Sequence, residues 1–392
     1  LASLVLPFTD NFGVFLAGWA LMGFYVVWLP LEIALIWSRS RRMEGRATIT
    51  ARAAGILVAA LETGAIIGAL AGGALVDALP LWIVLLVPSA MIVICFFVVL
   101  FGVKESPDAT GGVFDTIGLV LISLALLAFT GGLSLLRING PGDPLSWAVV
   151  ALGIVLVVPF VLWELRQDDP LIDVRMFRSP ALGPVFLTAG LFGVSVLGAQ
   201  APLSTFARTD PATVGYGLGT SGFATSLIIG IYLIAMIVGA LLYPVVARAA
   251  SPRLTLVGAA TLVGIGFLLF LPLHGTYVEV IVNMVVVGLG SGALVAALPA
   301  AAASAAPATQ TGVATGLTNS VKTVGGAIAS CVFGIALLHG ATDAAGGTAG
   351  SFAGYVTVWI VCGVTALASA VLLLFVPKQA FRDRPAEDAE AI

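Results

Sequence analysis

Three ionisable side chains lie inside long apolar stretches of the chain, where a charge is costly. With a helical rise of 1.5 Å per residue, Glu62 lies about 15 Å beyond Arg52, and Lys322 lies at a similar depth beyond Val313. Glu32 lies about 7–8 Å from the end of its stretch. Because a charge at the centre of a spanning helix costs about 2.5–3.5 kcal/mol or more, such residues usually face a cavity or a charged partner.

A desolvated carboxyl binds and releases protons closer to neutral pH than an exposed one, as coupling to a proton gradient requires. We therefore predict Glu62 and Glu32 as proton-coupling candidates. A structural role stays open for each of the three: an interfacial carboxylate for Glu32, and buried hydrogen bonds that fix packing for Glu62 and Lys322.

Aromatic residues precede Glu32 at helical spacing. At 100° per residue, one side of a helix would carry Leu21, Tyr25, Trp28 and Glu32. Rings above a carboxylate suit a lipophilic cation, so Tyr25 and Trp28 are predicted substrate-cavity residues. The alternative for these two rings is anchoring at the membrane interface.

Glycines recur on one face of the stretch that contains Glu62. Gly64, Gly68 and Gly72 follow at intervals of four residues, with Gly73 next to the last. Small residues at this spacing let two helix backbones approach closely in lipid, so the stripe predicts a tight helix contact. That contact is either ordinary packing or an interface that slides during a conformational change.

Composition indicates the environment of these residues. The 392 residues are 60% hydrophobic and 9% charged, whereas soluble domains contain about 25% charged residues. The chain is therefore predicted to be an all-α, polytopic membrane protein. A net charge of -3 argues against nucleic-acid binding. Three cysteines and two histidines without ligand spacing predict no metal site and no cofactor, and the absence of paired catalytic groups argues against an intramembrane enzyme.

Eleven apolar runs are long enough to span a bilayer. They are Phe12 to Trp37, Arg52 to Asp77, Leu81 to Val103, Val113 to Leu136, Trp147 to Arg166, Leu182 to Phe206, Thr220 to Arg248, Leu254 to Leu273, Val278 to Ala303, Val313 to His339 and Phe352 to Val376. Leu1 to Phe8 reads as the stub of one more helix.

Basic residues alternate between the connections, as the positive-inside rule requires. One set of connections, together with the C-terminal tail, holds nearly all of the lysines and arginines, whereas the other set holds Arg137 and Arg208. This pattern predicts a cytoplasmic C-terminus. The longer polar stretches 104–112 and 164–180 predict three units: 1–106, the remainder of an N-terminal bundle; 107–178, a helical hairpin and loop; and 179–392, a six-helix C-terminal bundle with a short tail.

Several short stretches are distinctive when taken in order. They are LAGWALMG at 16–23, the glycine run at 64–73, WIVLLVP at 82–88, FDTIG at 114–118, LWE at 162–164, PLIDVRMF at 170–177, GYG at 215–217 and GLTNSVKTVGG at 316–326. This series resembles the fourteen-helix drug:proton antiporter family of the major facilitator superfamily along nearly the whole chain. The stretches at 114–118 and 162–177 are the most specific match, similar to the two extra helices of fourteen-helix members.

The resemblance implies a major facilitator fold in which the eleven helices are the fourth to the fourteenth, with the first three absent from this chain. Asn319 and Lys322 then become substrate-cavity candidates. Two departures bear on mechanism: Trp19 and Met22 stand where the family has Arg and Gln, and Ala69 replaces a proline of the glycine motif. Glu62 or Glu32 is predicted to take over part of the proton coupling.

The expected function is a monomeric secondary transporter of the plasma membrane. It would export lipophilic or amphipathic small molecules and take up protons, by alternating access within the lipid bilayer. Two alternatives stay open: a proton-independent facilitator or importer of a specific solute, and a non-transporting truncated or regulatory relative.

Overall fold

The computed structural model describes residues 2–40, 43, 45–76, 79–103, 115–167, 170–307, 310–338 and 350–376. Within them, 11 helices are long and apolar enough to cross a membrane, which confirms the predicted all-α polytopic fold. We number these spans α1 to α11: Phe12–Arg39, Thr48–Gly72, Leu81–Gly102, Thr116–Asn139, Pro144–Glu164, Gly183–Arg208, Gly222–Ala249, Pro252–Leu269, Tyr277–Ala305, Thr311–Leu338 and Phe352–Phe375.

Two spans contain breaks that the sequence analysis did not predict. Span α1 consists of helices Phe12–Met22 and Trp28–Arg39 with the 3-10 segment Gly23–Val27 between them. Span α6 consists of helices Gly183–Val196 and Gln200–Arg208. In each span a proline follows the break, Pro30 in α1 and Pro202 in α6, and neither proline can donate the backbone hydrogen bond that would continue the helix.

The second helix begins earlier than the predicted Arg52: it covers Arg46–Val76. The Arg46 guanidinium lies 3.8 Å above the Trp37 ring, and its Nε donates a 2.8 Å hydrogen bond to the Trp37 carbonyl oxygen. These contacts join the start of this helix to the end of α1. The end predicted at Asp77, the boundary predicted between residues 106 and 107, Leu1 and the tail beyond residue 376 lie outside the described residues.

Polar side chains cap most spans. Backbone amides at helix N-termini donate hydrogen bonds to the side chains of Asp115 (α4), Asp143 (α5), Ser221 (α7), Ser251 (α8), Thr276 (α9) and Ser351 (α11). At Asp143, hydrogen bonds from the Ser146 hydroxyl and the Asn139 amide hold the pKa of the carboxyl below its usual value. Caps of this kind define where the helices begin.

The main hydrophobic core lies within α6 to α11. It includes an aromatic group in which the ring centroid of Phe206 lies 5.1 Å from that of Tyr355 and 5.2 Å from that of Trp359. The Tyr355 hydroxyl also donates to the Thr205 hydroxyl at 3.0 Å. These contacts connect α6 with α11 and give the six C-terminal spans one shared interior.

Span α2 and the α4–α5 hairpin pack onto this bundle at separate places, whereas α3 contacts α2 and the N-terminal stub. Span α2 lies along α7, where Ala54 and Val58 share a buried cluster with Ala240. The α4–α5 hairpin packs against α10 through a cluster that includes Leu133 and Leu136. The predicted stub forms the short helix Ala2–Val5 and a 3-10 turn, and the Ser89 hydroxyl of α3 donates to its Ser3 carbonyl oxygen at 2.7 Å.

Candidate functional site

Two opposite charges meet where α2 contacts the C-terminal bundle. Glu62 of α2 is only 8% exposed, and Lys322 of α10 is partly buried. Each interacts electrostatically with the other. Among the described residues, no side-chain hydrogen bond or ion pair within 4.0 Å joins them, so the attraction acts without direct contact between the two charged groups. The structure therefore brings together two side chains that are 260 positions apart in the sequence.

Glu62 points inward because its helix buries one face. That face carries Thr50, Ala54, Val58 and Glu62, which recur every four residues. Lys322 is held in place from the opposite side by α6, where a Cβ on Gly193 would collide with the Lys322 carbonyl oxygen. Close backbone contact at this glycine brings α10 to the position where its lysine reaches α2.

Two hydroxyl groups that the sequence analysis missed belong to the same site. Tyr232 of α7 is 5% exposed and interacts electrostatically with Glu62, and its hydroxyl lies near that of Ser291 in α9. Neither hydroxyl has a hydrogen bond of good geometry, although both are buried. A tyrosine alone in the middle of an apolar run was the available signal. Such a residue needs a polar partner for its hydroxyl.

A small cavity adjoins the lysine. It is lined by Leu29, Pro30, Ala189, Phe192, Leu294, Val295, Leu298, Pro299, Thr318, Asn319 and Lys322. Its volume of about 20 Å³ admits one water molecule rather than a drug-sized ligand. Asn319 and Lys322, both predicted from the sequence, thus line the same cavity, to which α1 contributes Leu29 and Pro30.

Tyr25 and Trp28 are placed differently. They are 63% and 42% exposed and are not among the residues that line this cavity. The 3-10 segment before Trp28 also invalidates the predicted line of four side chains, which assumed a regular α-helix from Leu21 to Glu32. Trp28 and the half-buried Glu32 still share one face, opposite the buried Ile33. Their roles in substrate binding and proton coupling stay predictions.

The glycine stripe of α2 does not form the predicted tight contact within the described residues. A Cβ added at Gly64, Gly68 or Gly72 would meet no heavy atom within 4 Å. The packed glycine of this helix is Gly55, where a Cβ would lie 2.8 Å from the Ala240 carbonyl oxygen. Nine residues separate Gly55 from Gly64, so the two lie on opposite faces and the stripe points away from the bundle. The surroundings of Gly73 are outside the described part.

Among the residues that the structure describes, no group of three or more histidine, cysteine or carboxylate side chains could hold a metal ion. Cys95 is exposed, Cys331 is half-buried and Cys362 is buried. The chemistry available at the site is therefore that of a carboxyl, an amine, an amide and two hydroxyls.

Residues 1–330 and 211–391 match the family model described as Major Facilitator Superfamily. The puromycin resistance protein pur8 of Streptomyces alboniger is 28% identical over 226 residues, covering 56% of this chain and 42% of that protein. The cephamycin export protein CmcT of Amycolatopsis lactamdurans is 28% identical, covering 69% of this chain and 53% of that protein.

The quinolone resistance protein NorB of Staphylococcus aureus is 26% identical over 303 residues, covering 73% of this chain and 61% of that protein. The chain thus spans about half the length of the curated relatives it matches. Their names refer to puromycin resistance, cephamycin export and quinolone resistance.

Proposed function

We propose that this chain, which belongs to the Major Facilitator Superfamily, exports lipophilic or amphipathic small molecules in exchange for protons. The match to the superfamily agrees with the fold predicted from the sequence. The relatives named for antibiotic resistance and export are consistent with the drug:proton antiporter family of that superfamily. The proposal assigns to this chain, by analogy within the family, the export activity for which those relatives are named. Its mechanistic part depends on one observation: the buried charge pair between α2 and α10.

The charge pair supports proton coupling because the charge on each side chain stabilises the ionised form of the other. A lone ammonium group is costly inside a bilayer, and an ionised Glu62 lowers that cost for Lys322. When Glu62 binds a proton, the attraction between α2 and α10 is lost. Protonation therefore favours separation of α2 from α10, and release of the proton favours their contact.

The position of the pair connects this event with alternating access. Transporters of this kind rock one helical bundle against another around a site near the middle of the membrane. Glu62 belongs to the N-terminal helices, whereas Tyr232, Ser291 and Lys322 belong to the six C-terminal spans. A change in the charge of Glu62 acts on the contact that such rocking must break and remake.

The small cavity beside Lys322 supports a substrate path at the same place. Its wall combines the polar ends of Asn319 and Lys322 with apolar side chains such as Phe192 and Leu294. A mixed lining of this kind suits amphipathic molecules. Separation of α1 from α10 would enlarge the cavity, and Tyr25 and Trp28 of α1 would then be available to contact a substrate.

The proposed arrangement follows the three predicted units: an N-terminal group, the α4–α5 hairpin and the C-terminal six-helix bundle. Packing of α4 mainly against α5, and of the hairpin against α10, supports the hairpin as an insertion between two bundles. The alternation of basic connections supports a cytoplasmic C-terminus in the plasma membrane. We further propose that the protein works as a monomer.

Inside-out vesicles that contain the full-length protein test this function. We expect ethidium, a lipophilic cation, to accumulate inside vesicles with an acidic lumen and to leave when nigericin dissipates the pH gradient. The measurement is the time course of ethidium fluorescence, with vesicles from cells that lack the gene as the control.

Each other outcome selects a different function. Ethidium movement that survives loss of the pH gradient would indicate a facilitator and would contradict proton exchange. Ethidium binding without any accumulation would indicate a non-transporting protein and would overturn the proposal as a whole.

A further inference from the structure

Two carboxyl groups meet at the end of the α4–α5 hairpin that is predicted to face the cytoplasm. Asp115 caps α4, and its Oδ1 accepts hydrogen bonds from the Gly118 amide at 2.8 Å and from the Trp163 indole at 3.0 Å. Glu164 is the last residue of α5 and is only 1% exposed. Its Oε2 accepts a hydrogen bond from the Ile172 amide at 3.2 Å.

Asp115 Oδ2, which also accepts a 3.2 Å hydrogen bond from the Trp163 indole, and Glu164 Oε1 point at the same place. A Cβ on Gly118 would collide both with Asp115 Oδ2 and with Glu164 Oε1, so these two oxygens converge above the glycine. Glu164 Oε1 is buried and has no hydrogen-bond partner. Asp115 and Glu164 also interact electrostatically.

The described charges around Glu164 do not neutralise it. Besides Asp115, the charged residue that acts on it is Asp173 of the following loop, which is also acidic. The guanidinium of Arg175 in the same loop donates instead to the Leu165 carbonyl oxygen at 2.9 Å. The immediate surroundings of the pair are therefore acidic.

Two ionised carboxylates whose oxygens converge above one glycine repel each other, and a buried oxygen without a partner is costly. One proton removes both penalties, because the O–H of one carboxyl can donate to the facing oxygen of the other. Carboxyl pairs that share a proton in this way titrate as a unit. We propose that Asp115 and Glu164 bind one proton between them, in a site that is separate from Glu62 and independent of the transport function.

Binding or release of this proton would change the net charge of the carboxyl pair, which lies next to the loop that joins the hairpin to the C-terminal bundle. Glu164 holds this loop at the Ile172 amide, and Asp173 of the loop accepts a 3.4 Å hydrogen bond from Gln310, which precedes α10. The carboxyl pair thus lies under a connection between α5 and α10. Gain or loss of the proton would change how strongly this connection is held.

Infrared difference spectroscopy of the full-length protein in liposomes tests the proposal. At pH 7 we expect the wild-type minus Glu164→Gln spectrum to contain the C=O stretch of one protonated carboxylic acid per chain. Asp115→Asn should remove the same band, because an amide that donates to Glu164 lets that carboxyl ionise. Glu279→Gln and Asp210→Asn, at two exposed helix caps, should leave the band unchanged.

Three results would overturn the proposal. Difference spectra that show only lost carboxylate bands would mean that both groups are ionised. Loss of the wild-type band on addition of Na⁺ or Mg²⁺ at constant pH would mean that a metal ion takes the place assigned to the proton. A band that persists in both single variants would belong to other residues. If one variant fails to fold, the difference spectrum of the other variant still decides the matter.

Discussion

Replacement of Glu62 by glutamine is expected to reduce proton-driven ethidium export by about 5- to 150-fold. This factor corresponds to the coupling free energy of about 1–3 kcal/mol that typically connects two sites. Glutamine keeps the size of the side chain and removes its ability to bind and release a proton. The contact between α2 and α10 then no longer responds to the pH gradient. The measurement is the initial rate of ethidium accumulation in inside-out vesicles at a fixed gradient.

The matched control is Glu279→Gln. Glu279 is at the third position of α9 and completes a capping box with Thr276, a position at which glutamine serves as well as glutamate. This variant should transport at the wild-type rate. Unchanged export by Glu62→Gln would contradict the assigned role of Glu62 and would leave Glu32 as the proton-coupling candidate.

Lys322 permits a sharper test of the same pair. Lys322→Met alone leaves an uncompensated carboxylate inside the bundle and should lower the stability of the folded protein, because a buried charge without an opposite charge nearby is costly. The double variant Glu62→Gln, Lys322→Met removes both charges and should recover most of this stability without recovering proton coupling. Additive effects on stability would show that the two side chains do not interact.

The second large effect is expected at the contact between α7 and α9. A Cβ on Gly239 of α7 would collide with the Leu289 carbonyl oxygen of α9, and a Cβ on Gly292 of α9 would collide with the Met236 carbonyl oxygen of α7. Backbone atoms cannot move aside as a flexible side chain can. Gly239→Ala should therefore destabilise the folded protein by about 1–3 kcal/mol, the usual range for overpacking.

Gly230 supplies the control on the same helix, because a Cβ there would meet no heavy atom within 4 Å. Gly230→Ala should leave stability unchanged or raise it, since alanine is favoured over glycine within helices by about 0.8–1.0 kcal/mol. Thermal unfolding of purified protein in detergent measures both variants. Equal midpoints for Gly239→Ala and the wild type would mean that α7 and α9 are not in backbone contact.

The same contact connects stability with the site. Gly288, one helical turn before Ser291, would carry a Cβ 2.6 Å from the Tyr232 carbonyl oxygen. Without glycine there, α7 and α9 could not approach closely enough for the Tyr232 and Ser291 hydroxyls to lie together. The glycines of this contact therefore position two hydroxyl groups of the charge-pair site.

The sequence by itself determined the number and approximate bounds of the spans. Backbone groups have no water to bind inside a bilayer, so about twenty apolar residues in succession must form a helix, whatever its neighbours are. The depth of Glu62 and Lys322 followed from the same local argument. Pro30 and Pro202, which follow the two observed breaks, are the local signal for them, because proline cannot donate the backbone hydrogen bond that continues a helix.

Only the tertiary structure decided which face of each helix is buried. In a soluble protein, apolar periodicity marks the buried face, but lipid is as apolar as a helix interface and a membrane helix can be apolar all round. Glycine spacing therefore predicts that the striped face of α2 is packed, whereas the packed face among the described residues is the opposite one, which carries Gly55. For the same reason the partners of Glu62 could not be found from spacing: Tyr232 and Lys322 come from two other helices, and only the packing of those helices places them near this carboxyl.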